Sequence, residues 1–209
     1  MVSARAIAIA KPFVFAAALI PLALLVGKIL SDQLGTNPIE TLNRYTGDWT
    51  LRFLLLTLAV TPLRQLTGQQ YLLRFRRMLG LFAFFYACLH FSTWIGIDKL
   101  FDWDEMVKAV IKRPFITVGF TCLVLLIPLA ATSTQAMVRR LGGSRWRALH
   151  RLVYAIGVGG VVHFWWLVKS DIREPLIYAT ILAVLLGYRV WSYVRRRSAA
   201  AAPVSSSAG

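Results

Sequence analysis

Acidic residues are scarce in this chain: nine Asp and Glu stand against 24 Lys and Arg in 209 residues, leaving a formal charge of +15. Charged residues of both signs make up only 16%, too few to cover a soluble domain of this length. Cysteine is nearly missing. Cys88 and Cys122 are the only two, and they form no CxxC motif, which excludes a disulfide framework and a thiolate metal centre. Each sits inside an apolar stretch, as a buried reduced packing residue does. Histidine is limited to His90, His150 and His163, so any imidazole chemistry must be built from these three. Phosphate-loop signatures are absent too. RRLGGSRW lacks the lysine and spacing of such a loop, and no strand precedes GVGG to make it a dinucleotide fingerprint.

What fills the chain is apolar residues, 57% of the total. They fall into six segments: Pro12–Leu30, Trp49–Leu63, Met78–Ile97, Pro114–Ala131, Arg151–Val168 and Pro175–Val194. About 20 apolar residues cross a hydrocarbon layer, and a spanning backbone must satisfy its own polar groups, which makes each span a helix. The second segment is the weakest, with Arg52 near its start and Pro62 near its end. The first has no clean small-residue cleavage site after it and is expected to stay as a helix rather than serve as a secretory signal. The fold class expected is therefore all-α: a polytopic membrane bundle of six transmembrane helices. Residues 1–11 form an N-terminal segment, 12–197 one membrane domain, and the Ala/Ser-rich stretch 198–209 a disordered tail.

The basic residues cluster between the apolar segments, which points to membrane orientation and not to nucleic-acid binding. Arg64, Arg74, Arg76, Arg77, Arg139, Arg140, Arg145 and Arg147 fall in two loops on the same face as both ends of the chain. All nine acids, Asp32, Glu40, Asp48, Asp98, Asp102, Asp104, Glu105, Asp171 and Glu174, fall on the other face. The positive-inside rule puts the arginine-rich face and both termini in the cytoplasm of a bacterial inner-membrane protein. On the acidic face, Leu100, Trp103, Met106, Val107, Val110 and Ile111 recur at helical spacing. They predict an amphipathic helix that lies on the membrane surface, either as a connector or as a docking surface.

An ionisable side chain inside a membrane is a functional candidate. His90 and His163 each lie 12 residues beyond the start of an outward-running segment, or about 18 Å in, and so at matching depth. Two neutral imidazoles at one level supply both axial positions of a haem iron, an arrangement suited to electron transfer. The alternatives are hydrogen bonding between helices, or zinc, for which no cysteine or carboxylate lies at that depth. Phe91, Trp94, Phe164, Trp165 and Trp166 offer flat apolar neighbours, and Gly157, Gly159 and Gly160 offer close backbone approach to a macrocycle. Thirteen residues before these histidines stand Arg77 and His150, about 19.5 Å lower on a helix. That rotation puts the two levels about 140° apart on a straight helix, so a distortion or a frayed end is expected between them. Arg77 and His150 suit an anionic cofactor, because an arginine fork matches phosphate. As plain inside-face charge they would serve topology alone.

NPIE followed by TGDW, then LAVTPLR, RRMLGLFAFFYACLHF, RWRALHRLVY and VVHFWW together resemble the ferric-reductase-like transmembrane superfamily. Within it the chain looks like the haem-binding membrane subunits of bacterial periplasmic methionine sulfoxide reductase systems, the MsrQ or YedZ family. The resemblance implies that His90 and His163 ligate haem b, and that His150 and Arg77 belong to a second cytoplasmic site holding FMN or a further haem b. It also implies that electrons pass from quinol in the membrane lipid to a periplasmic molybdopterin reductase, MsrP, which repairs oxidised proteins. The superfamily's usual second haem has a histidine where this chain has Arg77. A different implication is a stand-alone transmembrane metal or oxygen reductase fed by a separate cytoplasmic flavin reductase.

Overall fold

The computed structural model describes residues 3–168 and 170–201, and all regular structure among them is helical. Nine α-helices follow one another: α1 (Ala4–Leu30), α2 (Pro38–Thr67), α3 (Leu73–Thr93), α4 (Trp103–Lys112), α5 (Pro114–Ala131), α6 (Gln135–Leu141), α7 (Gly143–His150), α8 (Leu152–Leu167) and α9 (Arg173–Ala201). Four stretches are long and apolar enough to cross a membrane: Arg5–Leu30, Gln70–Asp98, Pro114–Ala131 and Arg173–Ser198. The two other expected spans, α2 and α8, are helices as well, packed between these four.

Helix α2 is far longer than the apolar stretch that announced it. Asn37 caps it by accepting from the Glu40 backbone N–H at 3.3 Å, which satisfies one free N–H of the first turn, and the Asn37 amide donates to the Glu40 carboxylate at 3.0 Å, which holds the capping side chain in place. At the other end Gly68 takes a left-handed φ of 71°, which glycine adopts without a Cβ penalty. The first three turns are polar in sequence, yet Thr46 is buried and bonded to the Leu42 carbonyl at 2.8 Å. A search for apolar runs does not see such a helix. Pro62 within α2 has no N–H to give the Leu58 carbonyl. The Arg189 guanidinium, reaching across from α9, donates to that carbonyl instead.

The core lies between two helix pairs, α2 with α3 and α5 with α8, with α9 against α8 and α2 and with α1 at the edge. Leu58, Tyr86 and Ile156 are the largest of its fully buried side chains. Lipid tails are as apolar as leucine, so close packing and not water exclusion must hold such helices together. Gly157 supplies that closeness: a Cβ there would meet Leu182 and Leu58, each at 3.3 Å. Meanwhile α1, α5 and α9 turn Phe13, Leu30, Ile127 and Val184 outward, a surface that fits hydrocarbon and not water.

Two expectations about the ends change. Helix α9 continues through Ala201, so the first four residues of the expected tail are helical; residues 202–209 lie outside the described residues. Helix α1 starts at Ala4, so the N-terminal segment is mostly the first turns of that helix. The predicted surface helix is present as α4, but its apolar residues divide. Met106 packs inward together with Ala109, while Leu100, Trp103, Val107 and Ile111 are exposed.

Candidate functional site

The polar residues of the bundle gather at two levels, one near each end. The level at the acid-bearing end uses the last turns of α3 and α8 and the first turns of α2 and α5. There the His90 and His163 rings face each other with centroids 6.1 Å apart and planes at 75°. The expected depth match is thus a direct juxtaposition.

Each ring is held by one nitrogen. The His90 Nδ1–H donates to the Asn43 carbonyl at 3.0 Å, with the Thr46 hydroxyl 3.3 Å away. The His163 Nδ1–H donates to the Phe115 carbonyl at 2.6 Å. A carbonyl only accepts, so both rings carry their proton on Nδ1. The Nε2 lone pairs remain, and among the described residues no hydrogen bond engages either of them. This is the tautomer a metal ligand needs, with the second nitrogen bonded to orient the ring and raise its basicity. Asn43 ties α2 to α3 twice, because its side-chain oxygen also accepts from the Thr93 hydroxyl at 2.7 Å.

The spacing tests what fits between the rings. A metal–imidazole bond of about 2 Å, with the ring centre about 1.1 Å behind the nitrogen, sets two trans imidazoles about 6.2 Å apart, centre to centre. The observed 6.1 Å leaves room for one metal ion between the rings, so His90 and His163 would be the residues to hold a haem iron here. Glycines give the rings their space, though not the ones expected. A Cβ on Gly119 would stand 2.7 Å from Cε1 and Nδ1 of His163, and one on Gly47 would stand 3.2 Å from Cε1 of His90. Gly157 instead meets Leu182 and Leu58, Gly159 meets Cys122 and Val118, and Gly160 meets Leu51; these three serve helix packing. The aromatic surroundings shift likewise. Phe115 lies beside His163 at 6.1 Å and Phe91 stacks with Trp94 at 5.9 Å. Trp166, by contrast, points outward and Phe164 packs on Tyr178.

The level at the arginine-rich end has a different construction. His150 ends α7, and α8 begins after a break at Arg151, where the Tyr154 N–H bonds to the Arg151 carbonyl three residues back at 3.0 Å. The break separates His150 from His163, whereas α3 carries Arg77 and His90 at the same spacing without one. Trp146 stacks on the His150 ring at 3.9 Å and donates its indole N–H to the Thr132 carbonyl at 2.9 Å. The Thr132 hydroxyl gives its proton to the Pro128 carbonyl at 2.6 Å, so it accepts from the His150 Nε2–H at 3.0 Å. Burial, aided by the nearby Arg76 charge, holds His150 below the ordinary histidine range. Arg77 and His150 line one cavity of about 340 Å³, together with Arg76, Trp146, Ser133 and Gln135. The sequence-predicted residues therefore meet as two pairs, His90 with His163 and Arg77 with His150.

Asn43, Thr46, Gly47, Phe115 and Gly119 were missed as site residues. A signal for them exists: Gly47 follows Asn43, and Gly119 follows Phe115, at the same interval of four, in the two helices that face the histidine-bearing ones.

Residues 46–161 match the family described as "Ferric reductase like transmembrane component". The chain is 59% identical to a protein of Herminiimonas arsenicoxydans named "Protein-methionine-sulfoxide reductase heme-binding subunit MsrQ", over 89% of this chain and 87% of that one. Proteins of the same name from Ralstonia nicotianae and Xanthomonas oryzae are 57% and 53% identical, over 90% and 93% of this chain and 87% and 92% of theirs. No solved structure matches. By these likenesses, which run through both levels, the chain belongs to the ferric-reductase-like transmembrane family and, within it, to the MsrQ heme-binding subunits.

Proposed function

We propose that this chain is a membrane b-type cytochrome with His90 and His163 as the axial ligands of one haem. The observation that carries this reading is the imidazole pair at 6.1 Å with both Nδ1–H groups committed to carbonyls and both Nε2 lone pairs available. When bound, haem supplies a one-electron couple that needs no open coordination position. The chain's own residues do the rest. The carbonyls of Asn43 and Phe115 orient the rings and add electron density to them.

The site's position near the acid-bearing end gives a direction. With the arginine-rich loops in the cytoplasm, both termini are inside, α1, α2, α3, α5, α8 and α9 make six spans of a bacterial inner membrane, and the imidazole pair lies near the periplasm. Electrons then leave outward. Quinol as donor and MsrP, the periplasmic molybdopterin methionine sulfoxide reductase, as acceptor complete the reading; the names of the relatives support the reductase system.

The inner level favours an anionic cofactor such as FMN over a second haem. Arg77 stands where a second imidazole would be needed, and the His150 Nε2 is already spent on Thr132. Two arginines offer phosphate ligands, and Trp146 offers an aromatic plane. The test is the optical spectrum and cofactor content of the detergent-extracted protein. The reading expects a reducible b-haem band; its absence from the intact protein would sink it.

A further inference from the structure

The two imidazoles of the outer level are served by the same device, repeated once on each side. Helix α2 presents the Asn43 carbonyl to His90 of α3, with Gly47 four residues on; helix α5 presents the Phe115 carbonyl to His163 of α8, with Gly119 four residues on. The interval has a physical reason. In a helix the carbonyl of residue i bonds along the axis to the N–H of residue i+4, which leaves its second lone pair facing sideways. The Cβ of residue i+4 leans back toward the helix N-terminus, over that lone pair. A glycine at i+4 leaves that approach open to an imidazole, and on α5 a Cβ in its place would run into the ring.

The distances show how tight each approach is. At Gly119 an added Cβ would lie 2.7 Å from two atoms of the His163 ring, closer than real side chains come, and the ring's hydrogen bond to the Phe115 carbonyl is short at 2.6 Å. At Gly47 the nearest ring atom of His90 would be 3.2 Å away, and the bond to the Asn43 carbonyl is 3.0 Å. Other glycines in the bundle do not touch a histidine. Gly27 on α1 and Gly187 on α9 have no atom within 4 Å of an added Cβ.

We propose that Gly47 and Gly119 are positioning residues for the two axial imidazoles, each keeping a backbone carbonyl open to a histidine Nδ1–H and so setting the ligand's orientation and electron-donating strength. The proposal rests on the haem reading above. It extends that reading to residues that touch no iron, and it ranks them: the α5–α8 side is the stricter of the two.

The test compares Gly47→Ala and Gly119→Ala with Gly27→Ala and Gly187→Ala in membrane-extracted full-length protein. Three quantities are measured: haem per chain, midpoint potential, and the low-spin signal in electron paramagnetic resonance. Gly119→Ala is expected to weaken haem retention about tenfold, the loss typical when a ligand's outer support is removed. Gly47→Ala is expected to keep most of its haem. In both, a weakened Nδ1–H bond makes the imidazole a poorer donor to ferric iron, so the potential rises and the low-spin signal shifts. The two control variants match the unmodified protein.

If Gly119→Ala does not accumulate in membranes, Gly47→Ala alone decides through its potential and spectrum. Haem content, potential and spectrum unchanged in both glycine variants, with haem normal in the unmodified chain, would overturn the positioning role and leave the haem reading standing. An unmodified chain without haem would instead overturn the function itself.

Discussion

The two ends of the bundle use the same residue type to opposite purpose. At the outer level each histidine bonds a helix carbonyl through Nδ1, and its Nε2 has no hydrogen bond among the described residues. At the inner level His150 has its Nε2 bonded to Thr132, Trp146 lies flat on its face at 3.9 Å, and its opposite number is Arg77. Ion pairing differs as well. Every ion pair among the described residues, such as Arg44 with Glu174 at 3.3 Å and Lys99 with Asp98 at 3.4 Å, lies toward the acid-bearing end. The arginines of the inner level have no carboxylate beside them. The comparison teaches that a histidine's role follows from which nitrogen its surroundings consume. In the proposed reading, one level would hold the haem iron and the other negative charge.

The largest effect is expected where that difference is greatest. His90→Ala or His163→Ala removes one of two axial donors, and each variant should lose bound haem on extraction; full haem content in either single variant would show that the pair is not the ligand set. At the inner level the same experiment should leave haem in place. His150→Ala is expected to keep its haem, and loss of half the haem from this variant would mark the inner level as a second haem site.

Arg77→Ala comes next. Removing one of the guanidinium groups in the cavity should weaken FMN binding about tenfold, by about 1.4 kcal/mol, the scale of a charged hydrogen bond. Flavin content per chain, measured by fluorescence after denaturation, checks it, and unchanged content would reduce Arg77 to a topology charge.

The smallest effect is one of pH. Burial and Arg76 hold His150 below its ordinary value in the ligand-free protein, and an added anion reverses part of that. Binding an anion therefore takes up a proton, and FMN affinity should rise by a few-fold as the pH falls from about 8 to about 6. His150→Gln should flatten that dependence. Folding takes the opposite sign: a histidine whose folded value is depressed costs stability as the pH falls below its unfolded value of about 6.5.

Much of this was legible from residue order alone. Matching the depth of His90 and His163 in two outward-running segments predicts that they meet, and their rings do. The 140° offset between the levels predicts a distortion or a frayed end; the chain breaks at Arg151 before His163, while α3 runs unbroken from Arg77 to His90. The supporting shell is legible only as the shared interval of four from Asn43 to Gly47 and from Phe115 to Gly119, because it is made of carbonyls and of missing side chains. Asn43 and Phe115 contribute main-chain oxygens that any residue would carry, and Gly47 and Gly119 contribute absence. The glycines of GVGG suggest close approach to a macrocycle, whereas Gly157 and Gly159 serve contacts with Leu58, Leu182 and Cys122. Helix α2 was underestimated for a related reason. Its polar first turns face His90 and a bonded neighbour, so they are internal without being apolar.

The claim that the two levels differ in kind is tested most directly by cofactor stoichiometry, haem and flavin measured per chain on the same extracted sample. The account predicts one haem b per chain, lost in His90→Ala and retained in His150→Ala. Two haems per chain, or one that depends on His150, would contradict it.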